Sequence, residues 1–294
     1  MYLKLSHSLS NFKHMSLPRV HKAEVVKMTG IDISESPDLV AVEEPLEIRI
    51  GYGATHQREQ KAISVTMRTP GNDFELALGF LFTENIIAGY DQVVSIQYCA
   101  NVGKQEEREN VVRVELRPDV KIDFDKIERH FYTSSSCGVC SKTSIEAIKT
   151  GCSIPVSDLI ITGDIVRQSP GQLREQQQVF EYTGGLHAAG LFDRNGNLVL
   201  MREDVGRHNA LDKVLGACLA ENKIPLADYF VMVSGRASFE LVQKALMAGV
   251  PILTAIGAPS SLALKLAADF GMTLCGFVRK DSFNIYCGRE RITN

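Results

Sequence analysis

From Glu44 the chain alternates apolar with charged side chains. Pro45-Leu46-Glu47-Ile48-Arg49-Ile50 has the period of two that a half-buried strand requires. Gly51-Tyr52-Gly53 breaks the pattern, and residues 61–68 resume it as a second strand rich in β-branched side chains. After Thr69-Pro70-Gly71 the spacing becomes helical. Asn72 stands at the cap position, Glu75 three residues later can reach back, and Leu76, Phe80 and Leu81 form a buried stripe. Residues 93–99 and 111–116 read as two further strands around the charged loop 103–108. Short helices are predicted over 123–133 and 142–149, the latter closed by Gly151.

The second half has a different rhythm. Residues 153–180 are polar and read as a bridge. Leu191-Phe192-Asp193 and Leu198-Val199-Leu200-Met201 flank Arg194-Asn195-Gly196-Asn197, whose Asn-Gly marks a hairpin. A helix follows, with Ala210, Val214, Leu215 and Cys218 on one face. Strands over 229–233, 250–256 and 272–277 then alternate with helices over 239–248 and 262–270, before a last short strand at 283–286. Near-continuous apolar strands joined by helices imply a parallel sheet covered on both faces. The expected fold class is α/β. It divides into a poorly ordered leader (1–39), a small strand-rich α+β unit acting as scaffold (40–133), a cysteine loop with a short helix (134–152) and an α/β domain (153–294).

Composition narrows the function. The chain has 294 residues, enough for a full core and for two units. A net charge of −3 argues against bulk nucleic-acid binding, which needs a basic surface. No signal peptide is legible near the start, and no stretch reaches about 18 consecutive apolar residues, so a cytoplasmic protein without membrane segments is expected. Seven scattered cysteines in a chain of this length suit reduced thiols. Cys99, Cys218 and Cys275 lie in apolar runs and read as small buried hydrophobes.

Cys137 and Cys140 are different. They stand three positions apart, just ahead of the helix predicted at 142, where backbone N–H groups and Lys142 favour thiolate over thiol. That spacing alone supports half a zinc site, a redox disulfide or a persulfide carrier. Zinc would need two more ligands, and the sequence offers no second Cys-x-x-Cys or Cys-x-x-His.

A rim of anion-binding groups is also legible. In α/β sheets, ligands bind beyond the carboxyl ends of the strands. Ser234-Gly235-Arg236, Ala258-Pro259-Ser260-Ser261 and Phe277-Val278-Arg279-Lys280 would project there, the first two at helix N-termini. Arg202, Arg207 and His208 surround a glycine turn and can hold phosphate oxygens, with Glu203 and Asp204 accepting from ribose or base donors. His187 lies among glycines and alanines that allow close backbone approach. Neither a P-loop nor a dinucleotide fingerprint is present: His56 stands where the third glycine would be.

Four segments together resemble the formate dehydrogenase accessory sulfurtransferase family, FdhD (also called NarQ). They are Ser135-Ser136-Cys137-Gly138-Val139-Cys140, Thr183-Gly184-Gly185-Leu186-His187-Ala188-Ala189, the run from Arg202-Glu203-Asp204-Val205-Gly206-Arg207-His208-Asn209 to Lys213, and Ala258-Pro259-Ser260-Ser261-Leu262-Ala263. The resemblance covers about residues 40 to 290. It implies a cytosolic homodimer whose main domain is cytidine-deaminase-like, with three layers. Cys137 would carry sulfane sulfur from a cysteine desulfurase as a persulfide, with Cys140 assisting or resolving. The acceptor would be the molybdenum (or tungsten) bis-guanine-dinucleotide cofactor, molybdenum bis(molybdopterin guanine dinucleotide), destined for the formate dehydrogenase catalytic subunit. The rim would hold its guanine and phosphates through Phe277, Val278, Arg279, Lys280 and Asp281, then Ser234, Gly235, Arg236 and His187, with Arg202, Arg207 and Ser260 contributing. The protein would hold no metal directly. Family members often have Gly after the second cysteine, where this chain has Ser141. The alternative is a non-catalytic chaperone that binds and delivers the cofactor. Deaminase chemistry is excluded, since it needs His-x-Glu and Pro-Cys-x-x-Cys: Ala188 and Ala189 follow His187, and Ser136 precedes Cys137.

Overall fold

The structure, a computed structural model, describes residues 18–99, 109–124 and 157–294. Cys137, Cys140, the loop 103–108, the helix expected at 142–149 and all but the first two residues of the one at 123–133 lie outside the described residues.

The chain first runs through β1 (Val20–Thr29) and β2 (Asp32–Ala41), an antiparallel ribbon turning at Gly30, whose φ is +63°. This corrects the leader expected over 1–39: from Val20 the chain is regular. Charged and hydroxyl residues dilute the apolar positions there, and Pro37 lowers the strand signal, which is why the alternation is hard to read.

A four-stranded sheet follows: β3 (Glu44–Tyr52), β4 (Glu59–Arg68), β5 (Val93–Tyr98) and β6 (Val111–Leu116), in the order β4-β3-β6-β5, with β3 and β6 parallel. The alternation in β3 does what its period predicts. Leu46, Ile48 and Ile50 are fully buried, while Glu47 and Arg49 pair on the outer face at 2.7 Å. Between β4 and β5 lies helix α1 (Asp73–Thr83). Its start differs from the expected capping box. Asn72 takes a left-handed backbone (φ 60°) and makes no side-chain cap, and Glu75 is held by Arg202 instead. The first turn is anchored by Asp73, which receives two 3.0 Å hydrogen bonds from buried Arg68 and one of 3.1 Å from the Tyr98 hydroxyl.

The expected polar bridge after 153 proves to be structure. Strand β7 (Ile161–Thr162) leads into α2 (Gly163–Gln176) and α3 (Gln178–Thr183). Val166 and Leu173 of α2 are buried, and the Thr162 hydroxyl caps the helix at the Ile165 N–H. The apolar stripe of α2 is sparse, so composition conceals an amphipathic helix.

The remaining strands are β8 (His187–Asp193), β9 (Leu198–Asp204), β10 (Tyr229–Val233), β11 (Ile252–Ala255), β12 (Thr273–Gly276), β13 (Asn284–Cys287) and β14 (Ile292–Thr293); β14 pairs with β7. Helices α4 (Arg207–Ala220), α5 (Phe239–Met247) and α6 (Ser261–Asp269) connect them. The six-stranded sheet has the order β13-β12-β11-β10-β8-β9. β10, β11 and β12 pair in parallel, β8 and β13 pair antiparallel to them on either side, and β9 pairs antiparallel to β8, so the sheet is mixed rather than parallel throughout.

Two apolar clusters cover the faces of this sheet. One contains Phe192, Phe230, Met232 and Ile252 with Val166 and Leu173 of α2. The other is continuous from Val231 and Leu253, through α4, α5 and α6, to α1 and the buried face of β3 and β6. The two sheets therefore share one core, and the chain segments on either side of residues 134–152 are not packed as separate bodies. Among the described residues no helix is long and apolar enough to cross a membrane.

Candidate functional site

The carboxyl ends of β10, β11 and β12 open on one rim, and backbone hydrogen bonds continue the sheet past the strand ends. The Ser234 N–H donates to Ala188 O (2.9 Å), Gly257 N–H to Gly235 O (2.9 Å), Phe277 N–H to Gly257 O (3.1 Å) and Val278 N–H to Ala255 O (3.1 Å). Small residues permit this stitching. A Cβ on Gly257 would sit 2.9 Å from the Arg236 backbone, and one on Gly235 would come 3.4 Å from His187 Nδ1 and 3.7 Å from Arg207 Cδ. The rim thus brings His187, Arg207, Gly235, Arg236 and Phe277 together, the first from β8, the second from the first position of α4.

The loops after β10 and β11 repeat one local design, Gly-x-x-Ser before a helix. Ser260 caps α6, its hydroxyl accepting the Ala263 N–H at 3.2 Å. Ser238 holds the equivalent position on α5 but makes no cap; its hydroxyl lies 3.1 Å from His208 Nε2, with Glu240 at 3.7 Å from the same nitrogen. Ser238 and Glu240 are the rim residues that sequence reasoning passed over. The repeated serine before each helix was the signal for Ser238.

Phe277 has φ +53°, the left-handed region that costs a non-glycine residue about 1–3 kcal/mol. The buried Val278 beside it and the two backbone bonds above hold it there, leaving the ring 43 % exposed. Arg279, Lys280 and Asp281 are exposed, and Arg279 Nη1 donates to the carbonyls of Ile256 (2.7 Å) and Val278 (2.9 Å). The Ser234 hydroxyl accepts from the Ala188 N–H at 2.8 Å.

Electrostatics leave arginine as the cation of this corner. Burial lowers the pKa of His187, and Arg207 lowers it further against the pull of Asp204. His208 falls to about 4, through burial and then the charges of Arg207 and Lys244. Both rings are neutral at neutral pH, whereas Arg207 stays charged, and its buried Nε has no hydrogen-bond partner among the described residues.

A pH dependence follows for His208. Unfolded, it titrates near 6.5; folded, near 4. The unfolded chain therefore binds the proton first, and stability present above about pH 6.5 is lost as pH falls toward 4. About a third of the side chain is exposed (34 %), so solvent screening limits the loss to about 1–2 kcal/mol. Thermal unfolding of His208→Gln should show a smaller drop in midpoint between pH 7 and pH 5 than the parent; equal drops would remove His208 as the cause.

Most of the charge cluster from Arg202 to Lys213 does not face the rim. Arg202 Nε and Nη2 donate to both oxygens of Glu75 (2.6 and 2.8 Å), and Nη1 donates to Met201 O. Glu203 is buried and accepts the Val179 and Phe180 N–H groups at the start of α3. Fully buried Asp204 pairs with fully buried Lys213 at 2.7 Å and accepts from Thr69 N–H, Gly206 N–H and Asn209 Nδ2. Glu203 and Asp204 therefore cannot meet a ribose or base, and Arg202 joins β9 to α1. Several of their partners, Glu75, Thr69, Val179 and Phe180, lie 23 to 135 positions away in sequence, so the run looks like an exposed charge cluster. Of that run, Arg207 and His208 reach the rim.

Comparison with known proteins agrees with the motifs. The profile of the FdhD/NarQ family matches residues 41–293. A Streptomyces coelicolor protein named "Sulfur carrier protein FdhD" is 46% identical over 275 residues, covering 92% of this chain and 95% of that one. A Mycolicibacterium paratuberculosis protein of the same name is 48% identical over 274 residues, 92% of this chain and 98% of its own length. A crystal structure described as that of a formate dehydrogenase accessory protein from Desulfotalea psychrophila superposes with a TM-score of 0.71 at 26% identity, covering 94% of this chain and all of the other.

Proposed function

The chain belongs to the FdhD/NarQ family, and from that membership we propose that it is a cytoplasmic sulfur carrier in formate dehydrogenase maturation. Membership across nearly the whole chain, with relatives named for sulfur carriage, is the observation that carries this reading. The donor is a cysteine desulfurase. The Cys137 thiolate attacks the outer sulfur of the donor's persulfide; the donor S–S bond breaks, the donor cysteine leaves as thiolate, and Cys137 holds the persulfide. Cys140 assists or resolves it. The acceptor, treated as substrate, is the molybdenum (or tungsten) bis-guanine-dinucleotide cofactor of the formate dehydrogenase catalytic subunit.

The rim suits that acceptor's nucleotide ends. Arg207 supplies a charge with an unpaired buried N–H, the starts of α4, α5 and α6 supply backbone donors for phosphate, and Phe277 presents a ring face to a planar base. Strain concentrated at Phe277 fits a residue kept for binding. We read the six-stranded mixed sheet with helices on both faces as the cytidine-deaminase-like core that the resemblance implies.

The test is to incubate the protein with a cysteine desulfurase and cysteine, then weigh the peptide containing Cys137. One added sulfur is expected on it, removable by reductant. An unmodified peptide would favour the cofactor chaperone that binds at the same rim without carrying sulfur. In cells, Cys137→Ala should abolish formate oxidation by the client while leaving the carrier's thermal midpoint unchanged; retained client activity would sink the carrier role.

A further inference from the structure

We propose that Glu240 is a specificity-determining residue of the rim, its carboxylate accepting from the N1–H and 2-amino groups of a guanine base. The inference rests on the guanine-bearing acceptor proposed above and names the side chain that selects it.

The loop before α5 is built around this carboxylate. Ser238 stands at the cap position but does not cap the helix; its hydroxyl hydrogen-bonds Glu240 and lies 3.1 Å from His208 Nε2. A hydroxyl has one proton to give. Given to the carboxylate, it leaves the Ser238 oxygen to accept from Nε2–H of the neutral His208, so the chain from His208 through Ser238 to Glu240 runs in one direction. Burial opposes the charge of Glu240, but its own backbone N–H, the Ser238 hydroxyl and the charge of Arg207 outweigh that and hold the carboxyl below its usual value. Glu240 is therefore ionised at neutral pH, with 43% of its side chain exposed. An ionised carboxylate offers about four acceptor positions, so those two local donors leave room for about two more. Guanine brings such a pair on one edge, N1–H beside the 2-amino group; adenine lacks the amino donor.

Other carboxylates near the rim are committed elsewhere. Glu203 accepts from the start of α3, Asp204 pairs with Lys213, and Glu84 at the end of α1 pairs with Lys244 at 3.2 Å. Asp281 is exposed, inside the turn that the Arg279 N–H closes on Ser282 O. The rim also offers a bed for a planar ring. Gly257 N–H donates to Gly235 O and Phe277 N–H to Gly257 O, so these three residues stand side by side. Two strand spacings, about 10 Å, separate Gly235 from Phe277. Neither glycine raises a side chain, Arg207 flanks Gly235, and Phe277 presents its ring from the far side. A base lying on this floor meets the ring at one end and the corner of Arg207 and Glu240 at the other.

Calorimetric titration of the full chain with guanosine diphosphate and with inosine diphosphate, which lacks the 2-amino group, should show a preference for guanosine of at least ~10-fold, the worth of one well-placed base contact. Glu240→Gln should shrink that preference to about threefold or less and should bind xanthosine diphosphate at least ~10-fold more tightly than the parent does, because the 2-carbonyl of xanthine can accept from the new amide. A role confined to the start of α5 would weaken all of these nucleotides alike and could not produce that gain. Equal affinity of the parent for guanosine and inosine diphosphates would overturn Glu240 as the reader while leaving the rim a nucleotide site. A preference lost in Asp281→Asn but kept in Glu240→Gln would overturn it too. Binding of none of the nucleotides would overturn both the reader and the rim. Should Glu240→Gln fail to fold, Ser238→Ala, which releases one hold on the carboxylate, should still lower the preference; an unchanged one would count against Glu240. Whether Cys137 carries sulfur has no bearing on these readouts.

Discussion

Gly216→Val should leave no soluble folded protein. Helices α1 and α4 meet backbone to backbone: a Cβ on Gly216 would sit 1.8 Å from Glu75 O and 2.7 Å from Gly79 N, and one on Gly79 would sit 1.9 Å from Asp212 O. No rotamer relieves a clash between a Cβ and a carbonyl. The helices would have to separate, and they form the centre of the core that both sheets share. Even Gly216→Ala, which gains about 1 kcal/mol of helix propensity, should lose about 4 kcal/mol or more, in the range reserved for severe core defects. Against a typical total of 5–15 kcal/mol this removes much of the margin. Gly171→Ala in α2 is the matched control. Nothing lies within 4 Å of its Cβ position, so helix propensity acts alone and the variant should gain about 0.5–1 kcal/mol. Urea midpoints of the two alanine variants should shift in opposite directions; a shift in the same direction would mean that α1 and α4 are not in close contact.

Why those glycines were silent in the sequence is physical. A glycine inside a helical pattern reads as a small defect, and only the partner helix, which lies more than a hundred positions away, turns it into a requirement. Patterns that depend on neighbours in sequence were legible. Asn195-Gly196 announces the β8–β9 turn, where Gly196 has φ +82° and Asp193 Oδ1 accepts from the N–H groups of Asn195 and Asn197 at 2.9 Å. The apolar runs of β10, β11 and β12 and the helices between them stand where periodicity puts them, and the carboxyl-end rim follows from their parallel order. Patterns that depend on distant partners were not. In the β1–β2 ribbon charged and apolar residues share each face, so neither strand shows a clean alternation. The antiparallel neighbours of the parallel trio are set by hairpin connections, which apolar content does not encode. The Arg202–Lys213 run shows the limit most plainly, because its titratable residues attract a ligand reading while their contacts assign most of them to the junction between sheets.

Lys213→Met should be among the most damaging substitutions outside the glycine contact, although it adds apolar volume to a buried site. Both Lys213 and Asp204 are fully buried, and burial pulls the lysine below its usual pKa while the Asp204 carboxylate holds it up. Lys213 also donates to Thr69 O at 2.9 Å, so one ammonium joins β9, α4 and the connection ahead of α1. Without it Asp204 keeps three donors but no countercharge, and an unpaired buried carboxylate costs about 3–5 kcal/mol. The cost is electrostatic rather than steric. Lys213→Met combined with Asp204→Asn should therefore recover most of the loss, because the amide oxygen can still accept from the Gly206 N–H and no charge is left buried. A double-mutant cycle by urea denaturation should return a coupling of about 2 kcal/mol or more; additive losses would show that packing, not charge, holds this joint. Gly206 immediately precedes Arg207, and its N–H is fixed by Asp204 at 2.8 Å. The buried pair thus sets the turn that aims the rim's cation, linking the charge run to the site through its backbone rather than through direct contact with a ligand.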